Sequence, residues 1–165
     1  MNICLSLDQL FLPNVFFLDA KQNMIIHGKF TQLVYSDEFF SMNGLSITLP
    51  FVNWKMETVN NNQVKYLYFQ QNNTINQDIV KKILDLETLI IELYKRKTDC
   101  TKRVSNLLRY QLSCGSLKIQ KNYHSIHEKI DIQPISRRIY IIKLSGVWES
   151  DEEVGITFKV LEMYQ

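Results

Sequence analysis

Apolar residues along this chain occur mostly in short runs rich in β-branched and aromatic side chains, with polar segments between them. Runs of this kind are typical of strands. They predict strands at 24–35, 45–54, 63–70, 115–121, 138–148 and 154–164. The pair Asn43-Gly44, which tolerates positive φ, is predicted to form the turn between the first two strands. The last two strands are predicted to pair antiparallel across an acidic loop at 149–153.

One segment has a helical period instead. Apolar residues recur there at spacings of four and three, which places them on one face of a helix over 75–97: Ile79, Ile83, Leu86, Ile90 and Leu93. Thr74 and Gln77 have the spacing of a capping box, in which both side chains satisfy backbone N–H groups at the helix start. We predict that the apolar face packs on the protein's own sheet. The alternative is that it joins two copies in a homodimer.

These elements predict a mainly β protein with a single domain at 1–165, a length that suits one hydrophobic core. Five or six strands with one inserted helix at about 75–97 fit a small Greek-key barrel of the oligonucleotide-binding (OB) type. A two-sheet β-sandwich is the alternative architecture. The C-terminal hairpin is expected to supply much of the core, through Ile139, Ile141, Val147, Ile156, Phe158 and Val160.

Composition excludes several classes of protein. A hydrophobic content of 45% is too high for intrinsic disorder, and no apolar run approaches the roughly 20 residues needed to cross a bilayer. The N-terminal segment Met1–Asp8 lacks the basic start of a signal peptide. We therefore expect a soluble intracellular protein, neither secreted nor inserted in a membrane, whose widely spaced cysteines stay reduced.

Residue usage also carries information about the genome. Only one alanine, Ala20, is present, whereas Asn, Ile, Lys, Phe and Tyr are abundant. Alanine has GC-rich codons and the abundant residues have AT-rich ones. The composition therefore indicates an AT-rich genome, such as that of a parasite, a low-GC bacterium or a large DNA virus.

Motifs for catalysis and for metal binding are missing from the sequence. It contains no Gly-rich phosphate loop, no nucleophile elbow and no HExxH motif. The acidic pairs Asp37-Glu38 and Asp151-Glu152 fall in predicted turns, where solvated charges are expected. His124 and His127 have no third ligand at a zinc-site spacing. We predict a protein that is not an enzyme and that uses no metal or other cofactor.

Charge is distributed unevenly along the chain. Residues 61–122 hold 11 basic and 5 acidic side chains, although the whole protein is nearly neutral, with a net charge of +2. Towards the end of this segment, eight cations face a single acid, Asp99. Such an excess is the electrostatic footprint expected for contacts to a phosphate backbone. The alternative is a solvated helix end, where cations are favoured by the helix dipole.

Aromatic residues lie in or beside this basic segment. Alternation along the predicted strand places Tyr66 and Tyr68 on one face, and exposed rings of this kind stack on the bases of single-stranded nucleic acid. Trp148 lies beside an acidic loop that would repel phosphate, so it is predicted to be structural. The predicted nucleic-acid-binding residues are Lys95, Arg96, Lys97, Lys102, Arg103, Arg109, Tyr110, Lys118, Lys121, Tyr66 and Tyr68.

Two segments carry a resemblance to a known family. The first is Tyr35-Ser36 followed by Met42-Asn43-Gly44-Leu45, and the second joins Gly146-Val147-Trp148-Glu149-Ser150 to Gly155-Ile156-Thr157-Phe158-Lys159. Together they resemble the phage-type single-stranded DNA-binding proteins encoded by large nucleocytoplasmic DNA viruses. In that family the closing strand pair has a Gly-x-Trp-Glu…Gly-x-Thr-Phe/Tyr-Lys pattern.

The resemblance implies an OB fold and sequence-independent binding of single-stranded DNA, or of RNA. It also implies a role in viral replication, recombination or repair beside other replication proteins, at a replication site in the host cytoplasm or nucleus. The alternative function is a non-enzymatic viral structural or protein-interaction module, dimeric through the predicted helix.

Overall fold

The computed structural model describes residues 4–23, 27–59, 64–120 and 138–164. Within these ranges the chain forms two α-helices, α1 (Thr74–Thr98) and α2 (Leu107–Ser113). It also forms ten strands: β1 (Val15–Gln22), β2 (Gly28–Ser36), β3 (Ser41–Asn43), β4 (Leu45–Thr48), β5 (Lys55–Val59), β6 (Val64–Tyr68), β7 (Arg103–Val104), β8 (Ser116–Ile119), β9 (Arg138–Ser150) and β10 (Glu153–Tyr164). The predicted connection at 122–137, with His124 and His127, lies outside the described residues.

The ten strands belong to a single sheet within the described ranges. Its main path runs β1-β2-β9-β10-β8-β6-β5, with β3 beside β2, β4 beside β9 and β7 beside β10. Neighbours pair antiparallel except that β10 runs parallel to both β7 and β8. The prediction of a mainly β protein is confirmed. The predicted number of five or six strands is wrong, because β1, β3, β5 and β7 were not recognised in the sequence.

Strand β9 is the longest strand in the described ranges and organises the sheet. One of its edges pairs with both β2 and β4, and its other edge pairs with β10 along almost its whole length. The predicted antiparallel pairing of the two C-terminal strands is therefore confirmed. Thr157 pairs with Gly146 and the next residue, Phe158, pairs with Leu144, so Ser145 is left unpaired and marks a bulge in β9. Bulges bend the strand that contains them.

The helix predicted at 75–97 is confirmed as α1, and its apolar seam is buried in the monomer. Ile79, Ile83, Leu86 and Ile90 join the core formed by the sheet, as predicted. Leu93 is only half-buried, and the fully buried residue of that turn is Tyr94.

The C-terminal hairpin contributes to this core less evenly than predicted. Val147, Ile156 and Val160 are buried in it, whereas Ile139 and Phe158 are half-buried. Ile141 is buried as well, but it does not belong to the core cluster. The reason is its position next to Ile142, since alternate residues of a strand face opposite sides of the sheet.

The start of α1 differs from the predicted capping box. The N-cap is Asn73, whose side-chain oxygen accepts hydrogen bonds from the backbone N–H groups of Ile75 and Asn76 at 2.9 and 3.2 Å. Thr74 is already the first residue of the helix. Asparagine and threonine are both good N-caps. Asn73 lies one position before Thr74, so Asn73 rather than Thr74 satisfies the free N–H groups at the helix start.

The strand predicted at 45–54 ends early, at Thr48. Pro50 has no N–H to donate to a ladder, and Asn53 has a φ of +51°, so the backbone leaves the extended conformation here. The buried side chain of Asn76 holds this loop, because it accepts a hydrogen bond from Val52 N and donates to Val52 O. The turn predicted at Asn43-Gly44 lies elsewhere: the chain turns at residues 37–40, because β2 pairs with β3, and Gly44 joins β3 to β4 with a φ of +77°.

The revised cap leads to a stability prediction. Asn73→Ala removes both side-chain hydrogen bonds at the start of α1 and should lower the free energy of unfolding by about 1 kcal/mol. Thr74→Ala is the matched control and should change it by less than about 0.5 kcal/mol, because Thr74 is an exposed residue of the helix. Urea denaturation of both variants measures the difference, and a larger loss for Thr74→Ala would support the capping box instead.

Candidate nucleic-acid interface

Tyr66, Tyr68 and Lys118 lie on the face of the sheet that points away from the core. Their neighbours Leu67 and Leu117 are fully buried and lie opposite each other in the β6–β8 ladder. Alternation therefore turns the two tyrosines and Lys118 outward. The predicted shared face of Tyr66 and Tyr68 is confirmed: both rings are half-buried, and their centroids are 6.2 Å apart. We call this side of the sheet the outer face.

A cation and a groove extend the tyrosine pair toward the edge of the sheet. The ammonium group of Lys55 lies 5.4 Å from the centroid of Tyr68, within the range of a cation–π contact, and 2.5 Å from Glu57 Oε1. Beside Tyr68 lies a groove of about 600 Å³ that is lined mostly by polar side chains. Its amide-bearing residues are Asn53, Gln70, Gln71 and Asn72.

The predicted cations at the end of α1 lie apart from the tyrosines, and three of them make internal contacts. Lys95 donates to the carbonyl oxygen of Lys102 at 2.5 Å, and Lys97 donates to that of Phe17 at 3.1 Å. Lys102 donates to the carbonyl oxygen of Ser150 at 2.5 Å. These bonds attach the segment after α1 to the sheet, so they use cations that the sequence assigned to phosphate contacts.

Lys102 also forms an ion pair with Glu149, whose side chain is only 7% exposed. Its Oε1 lies 2.8 Å from Lys102 Nζ, and its Oε2 lies 3.3 Å from Lys29 Nζ and accepts a hydrogen bond from the Tyr94 hydroxyl at 2.8 Å. Burial alone would raise the pKa of the Glu149 carboxyl. The hydrogen bonds from Lys102, Tyr94 and Lys29 outweigh burial and hold this pKa below its usual value.

The remaining predicted cations of this region lie at the surface. Arg96 is 4.0 Å from Glu92, and Arg103 is 2.7 Å from Glu153. Arg109 and Tyr110 belong to α2, a helix that was not predicted, and Tyr110 is 68% exposed. Arg96 and Arg103 lie in α1 and β7, which carry none of the outer-face residues. Helix α2 packs against β8, and the residues that follow it, Cys114 and Gly115, line the groove beside Tyr68. Lys121 lies outside the described residues.

Arg109 is also close enough to act on a buried acid. Glu87 is a buried residue of α1, and burial raises the pKa of its carboxyl to about 7 although the charge of Arg109 opposes this shift. A carboxyl with such a pKa is largely neutral in the folded protein at slightly acidic pH. The exposed Arg109 therefore also lowers the pKa of a buried carboxyl inside the domain.

The aromatic residues near the basic segment do not all serve the same face. Trp54, which precedes Lys55, packs edge-on against the buried Tyr140, with ring centroids 4.9 Å apart. Trp148 is half-buried, and its ring packs so closely on Gly155 that a Cβ atom there would lie 2.7 Å from the ring. This close packing is consistent with the structural role predicted for Trp148. Lys55 was missed because the predicted strand ended before it.

The described ranges contain no group of three His, Cys, Asp or Glu side chains that could hold a metal ion. No helix there is both long and apolar enough to span a membrane. Comparison of the chain with family models, with curated proteins and with solved structures finds no match.

The Glu149 contacts lead to a prediction about acid sensitivity. Glu149→Gln should lower the free energy of unfolding at neutral pH by about 2 kcal/mol, because the hydrogen bonds from two ammonium groups lose their charge assistance. The carboxyl has a lowered pKa in the folded protein, so its contribution is present above the ordinary pKa of 4.5 and is lost as the pH falls. The difference between the two proteins should therefore shrink in acid.

Glu152→Gln provides the matched control, because Glu152 is an exposed acid in the same hairpin turn. Its effect should stay within about 0.5 kcal/mol at every pH. Denaturation curves from pH 3 to pH 8 measure both variants. Equal effects of the two substitutions would contradict the assignment of Glu149 as a structural carboxylate.

The opposite pH dependence is expected for Glu87. Its pKa is raised from 4.5 to about 7 on folding, so the free energy of unfolding should fall as the pH rises through this interval. Glu87→Gln removes that fall and should be more stable than the unmodified protein at pH 8, by on the order of 2 kcal/mol, with no difference below pH 4. Glu92→Gln, an exposed acid on α1, should show no such trend in the same denaturation series.

Proposed function

We propose that this protein binds single-stranded DNA independently of sequence through the outer face of its sheet. The observation that carries this proposal is the pair of adjacent tyrosine rings, Tyr66 and Tyr68, flanked by the cations Lys55 and Lys118. Rings on a strand stack on any base, since every base has a π face, and neighbouring cations bind the phosphates. This combination requires bases that are not already paired, so a single strand fits it better than a duplex.

The basic region around the end of α1 has a secondary role in this proposal. Lys95, Lys97 and Lys102 are engaged with backbone oxygens or with Glu149. Arg96, Arg103 and Arg109 remain at the surface, where their positive charges favour the approach of a polyanion over a longer range. We therefore assign the stacking contacts to the outer face and the attraction of the ligand partly to these arginines.

We further propose that the sheet corresponds to the partly open Greek-key barrel of an OB fold. Support comes from the non-sequential strand order, from the parallel β8–β10 pair among antiparallel neighbours, and from the position of α1 between β6 and β8 in the chain. The resemblance of residues 146–159 to the viral family supports a role in replication, recombination or repair of a viral genome.

A protein-interaction module is the second candidate function, and one observation favours it. Strand β1 is at the edge of the described sheet, and its outward residues Phe16 and Leu18 are 51% and 48% exposed. Exposed apolar residues on an edge strand provide a template for pairing with another chain. A module of this kind should bind no oligonucleotide, and it should associate with itself or with a protein through β1.

Binding to oligo-dT at increasing salt concentrations tests the proposed function. The affinity should fall steeply with salt, because each phosphate contact releases counterions. Tyr66→Leu and Tyr68→Leu should each weaken binding by about 1–3 kcal/mol and leave the salt slope nearly unchanged, because stacking involves no ion release. Fluorescence anisotropy with a labelled oligonucleotide provides both quantities.

Tyr110→Leu is the matched control, because this exposed ring belongs to α2, whereas the tyrosine pair belongs to β6. Its effect should be smaller than that of either outer-face substitution. If the protein binds no oligo-dT even at low salt, the proposal is wrong. If binding depends on Tyr110 and not on Tyr66 or Tyr68, the binding site has been assigned to the wrong region.

A further inference from the structure

Strand register brings three lysines together that are far apart in the sequence. In the antiparallel β9–β10 ladder, Lys143 lies opposite Lys159. In the parallel β10–β8 pair, Val160 lies opposite Ile119, so the preceding residues Lys159 and Lys118 are also neighbours. Val160 and Ile119 are both buried, which turns the three lysines to the outer face. We call Lys143, Lys159 and Lys118 the lysine row.

The row continues directly into the tyrosine pair. Tyr66 lies opposite Lys118 on the next strand, and Glu57 lies opposite Tyr66 on the edge strand β5. With strands about 4.8 Å apart, the three lysines span about 10 Å across the sheet. The site therefore has cations at one side and aromatic rings at the other, on a single line perpendicular to the strands.

No carboxylate within the described ranges forms an ion pair with the three lysines. Glu57 is paired with Lys55, and Glu162 faces the other side of the sheet, where it contacts Arg138 and Lys65. Like charges directly opposite each other on neighbouring strands destabilise a sheet. The row is thus an unfavourable arrangement for folding alone, and an anionic ligand would relieve it.

The position of Lys143 is constrained by its surroundings. A Cβ atom at Gly44 would lie 3.1 Å from Lys143 Cε, so the lysine stem runs closely over this glycine. The stem of Lys143 is half-buried, as is that of Lys159. A side chain whose stem is already packed loses less conformational entropy when its ammonium group binds an anion.

We propose that the lysine row binds consecutive phosphates of a single-stranded nucleic acid whose bases then stack on Tyr66 and Tyr68, so that the strand crosses the sheet from β9 toward β6. This inference rests on the proposed function and adds to it the path of the ligand and two residues, Lys143 and Lys159, that are not among the nucleic-acid-binding residues predicted from the sequence. A duplex keeps its bases paired and does not place them on the tyrosines.

The double variant Lys143→Gln/Lys159→Gln tests the row. For single strands each lost phosphate contact lowers the salt slope of log affinity by about 0.7, so the double variant should lower it by about 1.4. The loss should be equal for oligo-dT, oligo-dA and oligo-dC. The matched control is Lys21→Gln/Lys81→Gln, which removes two exposed lysines from β1 and α1 and should leave the slope unchanged.

A charge reversal separates binding from folding. Lys159→Glu places a carboxylate between Lys118 and Lys143, so it should raise the melting temperature at low salt while it weakens binding to oligo-dT more than Lys159→Gln does. A variant that loses binding only because it is less stable would show the opposite change in melting temperature.

The outcomes distinguish the row from the proposed function. If the unmodified protein does not bind oligo-dT, both proposals are wrong. If it binds, and Tyr66→Leu weakens binding while the double lysine variant keeps the full salt slope, only the lysine row is wrong. A duplex of the same length that binds as tightly as the single strand would also overturn the proposed path.

Discussion

The register of the three strands β8, β10 and β9 determines which side chains form the core and which lie on the outer face. Side chains along each of these strands alternate between the two faces of the sheet. Leu117, Ile142 and Val160 therefore point into the core, and their neighbours in the chain point outward. A slip of one residue would exchange the two faces of a strand, exposing apolar side chains and burying lysines. The burial of the core therefore also specifies where the lysines of the outer face lie.

Helix α1 is attached to this sheet by a second interaction of a different kind. Its apolar seam packs against the core, but Tyr94 also reaches the buried carboxylate of Glu149 on β9, where Lys102 and Lys29 meet it. A buried carboxylate that is surrounded by donors costs stability when one partner is removed, so it favours one arrangement of helix, loop and sheet. The cations after α1 thus divide into those that hold the domain together and those that remain at its surface.

Elements with a clear period were predictable from the sequence. The 4-3 spacing of α1 and the apolar runs of the C-terminal hairpin each identify one element, because the pattern is local. In strand β1 the apolar residues Val15 to Leu18 are followed by a mostly polar segment, Asp19 to Gln22, so the strand shows no alternation that would reveal it. Helix α2 is short, and only Leu108 and Leu112 in it are buried, so it has too few turns to display a period.

Long-range pairing explains the part of the candidate site that was missed. The shared face of Tyr66 and Tyr68 follows from their own spacing and was predicted correctly. The excess of positive charge near Lys102 was visible in the sequence. The ion-pair partner of Lys102, Glu149, is far away in the chain, so counting charges cannot reveal that contact. Likewise, Lys143 and Lys159 become neighbours of Lys118 only through strand register, which depends on the whole sheet.

Protection of individual lysines from acetylation shows directly whether a single strand lies on the outer face. The protein is acetylated under mild conditions with and without a saturating single-stranded oligonucleotide, and the modification of each lysine is quantified by mass spectrometry. Lys118, Lys143 and Lys159 should become protected in the complex, while Lys21 and Lys81 should react as before. Protection confined to Lys95 and Lys97, or equal at all surface lysines, would contradict a binding site on the outer face.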